Sequence, residues 1–164
     1  MYLYLVQHGA AKTEEEDPLR PLSSQGYQDI TRVSTYLSRL NISVDTIMHS
    51  AKLRARQTAE VLREYLRPMQ GISEKDGLSP LDNPEIWKER LTGMSEDLFL
   101  IGHLPHLARL ASLLLCGHDG KHIVRFQMAG VVCLERNESG IWSLQWMITP
   151  RIIAGETAES CDSL

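Results

Sequence analysis

The sequence predicts an α/β domain with a mostly parallel sheet and helices on both faces. Three observations carry that expectation. Short apolar runs alternate with stretches of helical periodicity. Leu98-Phe99-Leu100-Ile101 is apolar without interruption, as a strand covered on both faces should be. Three candidate strands run straight into polar residues, at Gln7-His8-Gly9, His49-Ser50 and Gly102-His103.

Taken in order, Tyr2 to Val6 is a short apolar run stopped by Gly9, which reads as a buried strand. A polar loop from Lys12 to Leu22 holds Glu14-Glu15-Glu16-Asp17 and two prolines, and ends where Ser23 and Ser24 offer an N-cap. Ile30, Val33, Leu37 and Leu40 then recur at spacings of three and four and form a helical stripe. Asn41 suits the exit of that helix. Val44 to Met48 is the second strand, and Leu53, Ala59, Leu62 and Leu66 mark the second helix, ended by Pro68. A weak strand near 71–73 and a helix around 85–91 follow. The strand at 98–101 leads into a helix with Leu107, Leu110, Ala111 and Leu114 behind Pro105. Met128 to Leu134 and Ile141 to Met147 flank Asn137-Glu138-Ser139-Gly140, which predicts an antiparallel hairpin at the sheet edge.

Composition sets the bounds. With 164 residues, 43% hydrophobic and 23% charged, the chain is expected to form one domain over 1–153 followed by a polar, disordered tail over 154–164. A chain of this length buries roughly 70% of its unfolded surface and needs no staples. Cys116, Cys133 and Cys161 are too scattered for a disulfide framework, which fits a reducing compartment. The apolar opening is too short for a membrane span and lacks a basic flank, so a cytoplasmic location is expected. A net charge of -4 argues against nucleic acid or an anionic membrane as partner. Small anions respond to the local field of a pocket and remain open.

Ligands of open parallel sheets bind beyond the carboxyl ends of the strands. His8, His49 and His103 all fall there, and convergence from separate strands favours a site over three unrelated structural histidines. Gly9 and Gly102 allow the backbone to turn sharply and approach a ligand closely. Arg54 lies in the first turn of the second helix at the same edge. A helix N-terminus with an arginine is a phosphate clamp in waiting, although spacing alone leaves a solvated helix arginine as an equal alternative. His103 with His106, and His118 with His122, lack the spacing and companions of a zinc site, so no metal or cofactor is expected. Trp87, Trp142 and Trp146 read as packing residues.

Four segments together resemble the histidine phosphatase superfamily, and within it the short SixA-type phosphohistidine phosphatases. They are Leu5-Val6-Gln7-His8-Gly9, Arg20-Pro21-Leu22-Ser23 with Gly26, Ser50 to Ala59, and Ile101-Gly102-His103-Leu104-Pro105. The resemblance implies a phosphoglycerate-mutase-like fold and phosphoryl transfer without a metal. His8 would attack phosphorus and be transiently phosphorylated, His103 would donate to the phosphoryl oxygens, and Arg54 would clamp them. Gly9, Arg20 and the amide of Leu104 complete the implied phosphate contacts. The implied substrate is a phosphohistidine-bearing protein or a small phosphomonoester.

The sequence departs from that pattern at Gln7, where the superfamily has arginine. Gln7 can donate hydrogen bonds to an oxyanion but brings neither charge nor a guanidinium fork. A charged contact of this kind is worth about 1.5 to 3 kcal/mol, which predicts slow turnover. It also leaves an alternative, a pseudo-phosphatase that binds phosphate or phosphoprotein without turnover. Arg20 is the candidate to compensate, against a loop arginine paired with Asp17. The missing charge should leave His8 easier to protonate than it would be beside an arginine. Ala51, where proline is usual, is a minor departure. Asp82, with Asp76 behind it, is the candidate general acid, against ordinary surface loop residues. Weak provision of acid favours phosphohistidine, whose imidazole leaves readily. The short 66–98 connection leaves little chain for a lid.

Overall fold

The computed structural model describes residues 1–155; the predicted disorder of the tail, and Cys161 with it, otherwise lies outside the described residues. Six strands form one sheet in the order β3-β2-β4-β1-β5-β6. They are β1 (Tyr2–Gln7), β2 (Thr46–His49), β3 (Ile72–Glu74), β4 (Leu98–Gly102), β5 (Val131–Arg136) and β6 (Trp142–Ile148). The first four pair in parallel, and β5 and β6 add an antiparallel edge beside β1. Five helices accompany them: α1 (Ser24–Ser38), α2 (Leu53–Leu66), α3 (Glu85–Thr92), α4 (His106–Cys116) and α5 (Pro150–Ile153).

Side-chain alternation in the central strands builds two cores. Tyr4, Val6, Ile47, Phe99 and Ile101 face α1 and α2, where Ile30, Val33, Leu37, Ala59 and Leu62 meet them. Leu3, Leu5, Leu98 and Leu100 face α3 and α4, against Trp87, Leu91, Leu107, Leu110 and Ala111. Trp146 packs beside Tyr4, as expected of a packing residue. The predicted α1 stripe ends early, because the helix stops at Ser38 and Leu40, beyond its C-cap, is 45% exposed. Asn41 takes the left-handed φ of 50° beyond that end. The hairpin begins later than expected. Ala129, at φ 58°, donates to the carbonyls of Gln7 and His8, and Met128 points to solvent before β5 starts.

The loop over 10–23 is pinned at its base. Lys12 N donates to Pro21 O at 2.9 Å, Ser23 N to Ala10 O at 2.9 Å, and Leu22 N to the side chain of Gln57 at 2.7 Å. Ser23 Oγ caps α1 by accepting from Gly26 N at 3.1 Å. Gly26 is required here by space: a Cβ would drive into the Ala10 carbonyl and lie 2.9 Å from Ala10 N, both backbone. Gly26→Ala is therefore expected to destabilise the protein by about 2 to 4 kcal/mol. Urea denaturation of the two proteins measures it, and a difference below about 0.5 kcal/mol would contradict this account.

Among the described residues no helix is long and apolar enough to cross a membrane. Cys116 and Cys133 carry free thiols.

Candidate active site

The sheet order makes β4 and β1 neighbours, with Gln7 opposite Gly102. The next residue of each strand, His8 and His103, therefore leaves the sheet beside the other. His8 N donates to Gly102 O at 3.3 Å and carries the ladder one step further. The chain then departs toward α1 on one face and α4 on the other, which opens a crevice between the two connections. On the other side of β4, Ser50 N donates to Ile101 O at 3.1 Å and brings the start of α2 to the same edge. The two imidazoles lie with ring centroids 4.7 Å apart.

Hydrogen bonds decide which nitrogen of each ring is free. His8 Nδ1 lies 2.7 Å from Gly9 O. A carbonyl only accepts, so Nδ1 carries the proton and the lone pair resides on Nε2. That lone pair receives the Nε–H of Arg54 at 3.1 Å. Gly9 N donates to Thr58 Oγ1 at 3.1 Å, and Thr58 Oγ1 donates to Arg54 O at 2.7 Å, so one hydroxyl ties the His8 turn to the first turn of α2. Ser50 Oγ and His103 Nε2 are 2.6 Å apart.

Both rings are held neutral. Burial is the leading cause that pushes His8 down to about 4; the Gly9 carbonyl, next in size, pulls upward, and the charges of Arg54 and then Arg20 add to the downward push. Burial, followed by His8, Arg54, Lys52 and His106, pushes His103 down to about 3. The charge missing at Gln7 is thus outweighed by burial, and the net direction at His8 is downward.

The other predicted residues divide. Arg20 lines a groove with Glu14, Lys52 and Arg54. Its Nε donates to Lys12 O at 3.4 Å; its backbone N donates to Asp17 O at 2.8 Å, but among the described residues its guanidinium forms no ion pair with the Asp17 carboxylate. Gln7 is buried, with Oε1 lacking a partner. Leu104 is 39% exposed beside His103. Asp82 accepts from Ser79 N at 2.7 Å and faces His106, while Asp76 is bound to Arg90 at 2.8 Å. His49 does not join the two other histidines: its Nδ1 donates to Ser50 O at 3.0 Å, and β2 reaches the site through Ser50 instead. Sequence reading missed Ser50 and Thr58 as site residues. Their place in the segment from Ser50 to Ala59, each four positions from Arg54, was the available signal. A larger cleft at the opposite end of the strands, bordered by Met1, Lys88, Arg136 and Trp142, contains none of the predicted residues.

Two neutral imidazoles, one with its Nε2 lone pair held by a guanidinium, beside a basic groove form a site suited to nucleophilic attack on a tetrahedral oxyanion. Comparisons with known proteins agree. The model of the histidine phosphatase superfamily (branch 1) matches residues 3–97. An uncharacterized protein of Picosynechococcus sp. is 31% identical over 150 residues, covering 86% of this chain and 88% of its own. The phosphohistidine phosphatase SixA of Escherichia coli is 23% identical over 155 residues, covering 92% and 94%. In three dimensions the chain is similar to the protein histidine phosphatase SixA complexed with tungstate, with TM-score 0.82 and 22% identity over 93% of this chain and 99% of that one. It is also similar to an alpha-ribazole-5'-P phosphatase structure from Escherichia coli, with TM-score 0.75 and 16% identity over 92% and 98%.

Proposed function

The chain belongs to the histidine phosphatase superfamily, and on that premise we propose that it is a cytoplasmic, metal-independent phosphatase that removes a phosphoryl group from phosphohistidine in a protein. The observation that carries this reading is the lone pair on His8 Nε2, fixed there by the Gly9 carbonyl and held by Arg54, with the His103 ring alongside. Phosphoryl transfer asks mainly for positioning and for neutralisation of the charge on the phosphoryl oxygens. Arg54 is 3.1 Å from the attacking atom and needs only to pass its N–H groups from that nitrogen to the incoming oxygens. Arg20 adds charge from the rim, His103 donates to an oxygen, and Ser50 holds the His103 ring.

In the first step His8 Nε2 bonds to phosphorus as the P–N bond of the substrate breaks, and its electron pair leaves on the substrate imidazole. In the second step water attacks phosphorus, the bond to His8 breaks, and phosphate departs. Neither step calls for a carboxylic acid near the leaving group when that group is imidazole. The carboxylates favour this substrate, because Asp82 is engaged with Ser79 and Asp76 with Arg90. The similarity to phosphohistidine phosphatase SixA points the same way.

Gln7 supports a second reading, a binding module without turnover, and one substitution separates the two. Gln7→Arg is expected to raise kcat/KM for p-nitrophenyl phosphate and for a phosphohistidine protein by about 10²- to 10³-fold. If wild type and Gln7→Arg both fail to hydrolyse either substrate while inorganic phosphate binds in an Arg54-dependent way, the protein is a binding module. The same pair of proteins tests the charge argument at His8. Gln7→Arg should lower the pH at which kcat/KM declines on the acid side, and an unchanged acid limb removes that argument.

A further inference from the structure

Five buried side-chain N or O atoms have no hydrogen-bond partner among the described residues, and four of them belong to Gln7, His103 and His106. Such atoms are uncommon in folded proteins because each forfeits its hydration for nothing. The steps proposed above use His103 but give no task to His106. That residue is wholly buried with both ring nitrogens unpartnered, on a helix face otherwise formed by Leu107, Leu110 and Ala111. An apolar side chain would fill that position without orphaned nitrogens.

Gln7 is the complementary case, since its buried Oε1 can only accept. It alternates along β1 with Leu3 and Leu5, which face α4, so Gln7 is on the α4 side of the sheet. Its partner in register is Gly102, and a Cβ on Gly102 would lie 3.2 Å from Leu107 Cδ2. The first turn of α4, which begins with His106, therefore covers the strand pair at the level of Gln7.

We propose that His106 is a positioning residue for Gln7. When an oxyanion enters the cleft, an imidazole N–H of His106 donates to Gln7 Oε1 and holds the carboxamide with its NH₂ toward the anion. A neutral amide so anchored supplies directed donors where the superfamily has a guanidinium. This inference rests on the proposed placement of the phosphoryl group beside His8.

The test is a double-mutant cycle read by calorimetric titration of inorganic phosphate into wild type, Gln7→Ala, His106→Leu and the double variant. His106→Leu is expected to weaken phosphate binding about 10-fold in the presence of Gln7 and less than about 2-fold in its absence. Equal effects in both backgrounds, or no effect in either, overturn the proposal. Long-range imidazole ¹⁵N spectra of the unaltered protein provide a readout that needs no His106 variant. The ring signals of His106 should move on saturation with phosphate and should stay fixed in Gln7→Ala; fixed signals in both overturn it. Failure of the wild type to bind phosphate overturns the proposed function and this inference together, whereas binding without coupling overturns this inference alone.

Discussion

Replacing His8 with alanine is expected to lower hydrolysis of p-nitrophenyl phosphate and of a phosphohistidine protein by about 10⁴-fold or more, a magnitude typical for removal of a nucleophile from a covalent mechanism. The expectation follows from the bonding of one ring. Gly9 O occupies Nδ1, so Nε2 is the only atom of that side chain able to attack. Phosphate binding should survive the substitution, since Arg54 and Arg20 remain and a small residue only enlarges the cleft. Rapid quench into alkaline detergent after mixing with ³²P-labelled substrate should trap a base-stable, acid-labile phosphoenzyme in the wild type and none in His8→Ala. Retention of more than about one tenth of the wild-type rate by His8→Ala would end the nucleophile assignment.

A second large effect is expected in stability rather than rate. Burial is the leading cause holding His8 at about 4, His103 at about 3 and His106 at about 4. An unfolded histidine titrates near 6.5, so the unfolded chain takes up protons that the folded one refuses. The neutral rings therefore contribute their full stability above about pH 6.5, and that contribution is lost as the pH falls toward 4. At 1.36 kcal/mol per tenfold difference in proton affinity, each ring accounts for on the order of 3 kcal/mol across the window. Urea midpoints should accordingly fall steeply between pH 6.5 and 4.5. His106→Leu should flatten the fall by about a third, because it removes one of the three proton acceptors. A midpoint constant from pH 7 to 4.5 would show that the rings are not held neutral by the fold.

Much of this molecule was legible before its structure. Short apolar runs located the strands and period-3.6 patterns most helices, because a sheet covered on both faces and the helices packed on it demand apolar side chains in those arrangements. Ser23 capped the first helix as its chemistry requires, and Asn137 to Gly140 formed the predicted turn. His8 and His103 were legible because each sits immediately beyond a strand, and Arg54 because it sits in the first turn of a helix, where the pattern had established the element's type and direction. His49 stood in an equivalent position and was still the wrong third histidine. Spacing says that a residue reaches the sheet edge; it does not say on which side of the strand its ring emerges. Ser50, one residue further, emerges on the side where His103 is.

By itself, then, the order of residues determined the α/β architecture, the edge at which chemistry gathers, and the absence of a guanidinium at position 7. These depend on local preference and on the direction of the chain, both of which a linear sequence carries. Only the folded molecule decided which nitrogen of His8 carries the proton, that Ser50 holds His103, that Asp82 accepts from Ser79 N, and that His106 is buried without a hydrogen-bond partner among the described residues. Except for the Asp82 turn and the His8–Gly9 contact, these turn on groups brought together from distant parts of the chain, 46 residues apart for Arg54 with His8 and 53 for Ser50 with His103. Protonation, tautomer and burial answer to neighbours in space, and those neighbours exist only once the strands have chosen their order.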